Sequence, residues 1–147
     1  MSRIPRYQEH LKTAFTAEAA AAARCRAYAT QAEREGLPNL ARRWLCMAAA
    51  KDQLAVELLD AAGQVSTPDA SLGNAISEER YENDALYPKM IRDVDEETAD
   101  VLLRVVNVQK EHLRQLEELR RSLNAAGGDV LLPAEVDRGT APSAPES

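Results

Sequence analysis

Apolar positions recur every three to four residues along most of the chain, and the runs divide it into four helical segments. The first is predicted from Pro5 to Glu35, stopped by Gly36. Pro38 suits the first turn of a second helix, which should end at Gly63. The short link between them implies an antiparallel helical hairpin. The polar stretch Gln64 to Asn74 reads as a connection, and a third helix is predicted from Ala75 to Arg92. Pro88 lies inside it and lacks the backbone N–H of a regular turn, so a kink or early stop is expected there. Asp93 or Asp95 can cap a fourth helix, acidic in its first turn and ended by Gly127-Gly128. Asp129 to Ser147 holds three prolines and no helical period, which predicts a disordered tail. The expected organisation is therefore a helical domain over 1–128 and a flexible tail over 129–147.

Within each helix one stripe is written for burial. Helix 1 offers Leu11, Phe15, Glu18, Ala22, Cys25, Ala29 and Ala32, and helix 2 Leu40, Trp44, Met47, Lys51, Leu54, Leu58 and Ala61. Helix 3 groups Glu79, Glu82 and Leu86, and helix 4 gives Leu102, Val105, Gln109, His112, Leu116, Leu119 and Leu123. All four stripes contain polar residues where packing wants apolar ones. An unpaired buried charge is costly, so these groups are expected to meet one another. The alternative is that the stripes are displaced by one position and these residues sit at the helix flanks.

Composition supports the helical reading, because aromatics are only 4% while Ala, Leu, Glu and Arg dominate. A net charge of -6 argues against a broad nucleic-acid-binding face. No apolar run is long enough for a bilayer, and the N-terminal residues lack the apolar stretch of a signal peptide. Cys25 and Cys46 form no disulfide framework and no metal knuckle, which fits a reducing, cytoplasmic setting. Cys25 reads as a small apolar filler.

The segment Leu11-Lys12-Thr13-Ala14-Phe15-Thr16-Ala17-Glu18 is similar to the start of rubrerythrin helix 1, up to that family's first ligand. Arg24 and Ala32-Glu33-Arg34-Glu35-Gly36 continue the similarity. Ala41-Arg42-Arg43-Trp44-Leu45 resembles the run before the family's first Glu-x-x-His, and Leu86-Tyr87-Pro88 resembles its Met-Tyr-Pro after the helix 3 ligands. The resemblance spans about residues 8 to 123 and implies a ferritin-like four-helix bundle with a crossover from helix 2 to helix 3. Such bundles hold two metal ions with a glutamate from each of two helices and a Glu-x-x-His pair from each of the other two. Here Glu18 matches the first glutamate and Glu82 a helix 3 glutamate. The first Glu-x-x-His falls on Lys51 and Leu54, the additional helix 3 glutamate on Ala85, and the second Glu-x-x-His on Gln109 and His112. The resemblance and the stripes thus converge on Glu18, Lys51, Glu82, Gln109 and His112.

Two glutamates and one histidine are too few for a di-iron centre, which needs carboxylates to balance charge and bridge. One metal ion on Glu18, Glu82 and His112 remains conceivable chemically, but the Lys51 ammonium would stand near it. In the simpler reading Lys51 replaces the metal, pairing with Glu18 and Glu82 while Gln109 and His112 complete the hydrogen bonds. The expected function is a non-catalytic structural or interaction bundle without cofactor; the alternative is an iron-binding oxidoreductase of the rubrerythrin type. Tyr81 and Tyr87 flank Glu82 and would be redox-active only beside a metal. The alanine run Ala19 to Ala23 suggests either helix propensity or a dimer face, and a homodimer or another protein partner is expected. Val130-Leu131-Leu132-Pro133 could cover the bundle end or dock a partner. For the crossover, Lys51 lies about 18 Å before Gly63 and Glu82 about 10 Å after Ala75. The connection must cover roughly 28 Å, within the roughly 36 Å reach of the eleven-residue stretch Gln64 to Asn74 when nearly extended. An up-down-up-down bundle is the other topology.

Overall fold

The computed structural model describes residues 6–130 and is all-helical over them. The elements are α1 (Arg6–Arg34), α2 (Pro38–Ala61), α3 (Pro68–Tyr81), a π-helical turn (Glu82–Leu86), α4 (Tyr87–Arg92) and α5 (Glu96–Ala126). The chain divides into two compact units, Met1–Ser66 and Thr67–Ser147. The proposed tail lies almost wholly outside the described residues, as do Leu131, Leu132 and Pro133.

The first unit is the α1–α2 hairpin. Its turn follows from Gly36, whose φ of 75° suits a residue without Cβ. The Gly36 N–H donates to the Glu33 carbonyl at 3.1 Å and the Leu37 N–H to the Ala32 carbonyl at 2.9 Å, closing α1 while Pro38 opens α2. The buried row is made of small residues: Ala22, Cys25, Ala29 and Ala32 on α1, and Ala41, Ala48 and Ala55 on α2. Side chains this small let two helix backbones approach closely. Trp44 packs against the Ala29, Ala32 and Ala41 cluster, its ring 5.0 Å from that of Tyr28.

This arrangement corrects the stripe expected on α2. Leu40, Met47 and Leu54 are each 47% exposed, whereas Ala41, Ala48 and Ala55, each one position later, are buried. The smaller residues take the tight contact and the larger ones flank it. Part of the alanine run is thereby accounted for, since Ala22 is fully buried.

The second unit starts earlier than expected. Residues 68–74 are helical, not an extended connection. The Thr67 hydroxyl accepts from the Ala70 N–H at 3.1 Å, Pro68 occupies the first turn and Asp69 adds an acid there. That trio is a complete start signal, and it overrides the turn-rich composition around it. Only Ala62–Thr67 separates α2 from α3. Pro88 also acts differently from a simple break. The helix continues through it, and the turn before it widens, with the Tyr87 N–H reaching back to the Glu82 carbonyl. A proline leaves preceding carbonyls without their usual donor, and a π turn absorbs the irregularity. Asp95, not Asp93, caps α5 by accepting from the Thr98 N–H at 3.1 Å.

Ile76 and Val106 are the buried aliphatic residues of this unit, at 6% and 5% exposure. On α5 the stripe is again displaced: Val106 is buried, while its predicted neighbours His112 and Leu119 are exposed. Charge supplements packing. The Arg120 guanidinium donates twice to Asp69, at 3.1 and 3.2 Å, tying α3 to α5, and Arg80 pairs with Glu117. Gly73 gives Arg120 room, since a Cβ there would stand 3.2 Å from its guanidinium nitrogens. Among the described residues no helix is long and apolar enough to cross a membrane.

Candidate functional site

The five residues singled out in the sequence fall into two groups, one in each unit. In the first unit, Glu18 of α1 faces Lys51 of α2. The lysine ammonium donates to Glu18 Oε2 at 3.2 Å, with both side chains about one-third exposed. Both residues interrupt their apolar stripes midway, so an antiparallel hairpin brings them level. Glu18 also lines an open apolar groove together with Ala14, Leu54, Leu58 and Ala61. Lys51 has three N–H donors and one recorded acceptor.

In the second unit, the Gln109 amide of α5 donates to Glu82 Oε2 at 2.9 Å. Glu82 opens the π turn, one residue after the last of α3. His112 lies one turn further along α5, and its Nδ1 stands 4.0 Å from Glu79 Oε1. So His112 neighbours Glu79, not the Glu82 with which it was expected to act. Its side chain is 55% exposed, that of Glu79 only 19%. Glu79, Val105, Val108, Gln109 and His112 line an open groove of about 560 Å³.

This second group is short of hydrogen-bond donors. Glu79 Oε2, Gln109 Oε1 and both amide atoms of Asn83 are buried without a protein partner. Asn83 is 6% exposed and sits in the π turn. Three of these four atoms are oxygens that accept. Sequence reasoning missed Asn83 because a π turn shifts side chains off the helical period, and no local residue announces that shift beyond Pro88. Glu79 was legible, since three residues before Glu82 is the same helical face.

Lys51, Leu54, Ala85 and Gln109 carry neither a carboxylate nor an imidazole, and the Lys51 ammonium engages Glu18. No cluster of three or more His, Cys, Asp or Glu placed to hold a metal ion occurs among the described residues. Tyr81 is 61% exposed, and Tyr87 is half-buried. Cys25 is buried and Cys46 exposed, both as free thiols. No protein-family model and no curated protein matches this chain.

Proposed function

We propose that this chain is a non-catalytic, ferritin-like bundle that serves as a structural or interaction protein, with a polar core centred on Lys51 where a metal site would be. The observation that carries the reading is the Lys51–Glu18 pair at 3.2 Å. A fixed ammonium at a ligand position holds the carboxylate that a cation would need. The second group supports it chemically. Glu82 accepts a hydrogen bond from the Gln109 amide, and the buried oxygens of Glu79, Gln109 and Asn83 still require donors. Within its own unit Lys51 meets Glu18 and has further N–H donors beyond that bond. The rubrerythrin resemblance supplies the ferritin-like topology in this proposal.

Two measurements test the reading. Protein grown in iron- or zinc-rich medium should carry well under one metal ion per chain; a stoichiometric, chelator-resistant ion with oxo-bridged iron absorption would establish the oxidoreductase instead. Lys51→Ala separates a buried pair from a surface one. Stripping the cation from a buried carboxylate group costs about 3–5 kcal/mol. An exposed pair contributes at most about 1 kcal/mol. With both side chains about one-third exposed, a loss between these two figures is expected in urea unfolding, and a loss no greater than that of an exposed pair would place Lys51 in solvent.

A further inference from the structure

We draw no further inference here: the strongest candidate, the open groove on the α3–α5 unit walled by Val101, Val105 and Val108, has Glu79 beside Arg104 and His112 in its lining, so neither charge nor anything else in the structure shows what covers it.

Discussion

The α1–α2 hairpin and the α3–α5 unit are built from helices of similar amphipathic character, yet they are held by different means. The first relies on shape: seven buried small residues, six of them alanine, let the helices approach. The second relies on bulk and on specific charge. Ile76 and Val106 fill its interior, Asp69–Arg120 and Arg80–Glu117 bridge its helices, and a π turn carries a buried asparagine. Alanine contributes little apolar area per residue, so the first hairpin gains its stability from closeness and high helix propensity. Its large aliphatic residues Leu40, Met47 and Leu54 flank that contact and stay about half exposed. The second has irregular backbone at Glu82–Leu86, where its polar groups collect. The lysine and its carboxylate partner thus lie in the regular small-residue unit, and the unpartnered acceptors collect in the irregular one.

The contrast predicts opposite responses to side-chain size. Ile76→Ala opens a cavity in the second unit and should destabilise it by about 2–5 kcal/mol. Hydrogen exchange would localise the loss to 68–126, leaving 6–61 protected; a loss spread evenly over both would mean that the units do not unfold separately. Ala41→Leu is the converse. Ala41 is fully buried, so enlarging it forces the helices apart and should cost about 1–3 kcal/mol, despite added apolar area. An unchanged or raised urea midpoint would show that the alanine row is loosely packed and that the comparison drawn above is mistaken.

Much of this organisation was legible in the sequence. Gly36-Leu37-Pro38 located the first turn, and Asp93 or Asp95 with the acids after them located the start of α5 to within two residues, because caps act over three or four residues and are written locally. The same rules, applied to Thr67-Pro68-Asp69, would have found the start of α3. The surrounding Ser, Asp, Gly and Asn obscured it. The displaced rows on α2 and α5 were less accessible. A three-four period fixes which residues share a helix face, but not which edge of that face meets a neighbour, and on α2 the choice between Leu and Ala edges is a tertiary one. The polar residues were visible as interruptions, and two of their pairings, Lys51–Glu18 and Gln109–Glu82, occur as matched breaks on neighbouring helices. The partner of His112 was not, because Glu79 and Glu82 lie on one face and the π turn decides their relative reach.

The smallest expected effect concerns acid. Three carboxylates held below their ordinary values lie in the second unit. Hydrogen bonding to Arg120 lowers Asp69, the Thr98 cap lowers Asp95, and bonding to Arg114 lowers Glu111 from 4.5 to about 2. A carboxyl that is more acidic in the folded than in the unfolded chain favours folding while it is ionised. Its contribution is present above the unfolded value near 4 and disappears as pH falls through the lower folded value. Acidification from pH 5 to pH 2 should therefore loosen the second unit, beginning with the first turns of α3 and α5. These groups are exposed, so the shift is modest and weakens as salt screens it. Asp95→Asn keeps a capping oxygen but removes the titrating charge. Amide NMR of that variant should show a flatter profile for residues 96–99 than the natural chain over this range. If α2 loses its protected amides first, or if raised salt leaves the natural profile unchanged, charge does not distinguish the two units and the difference between them is one of packing alone.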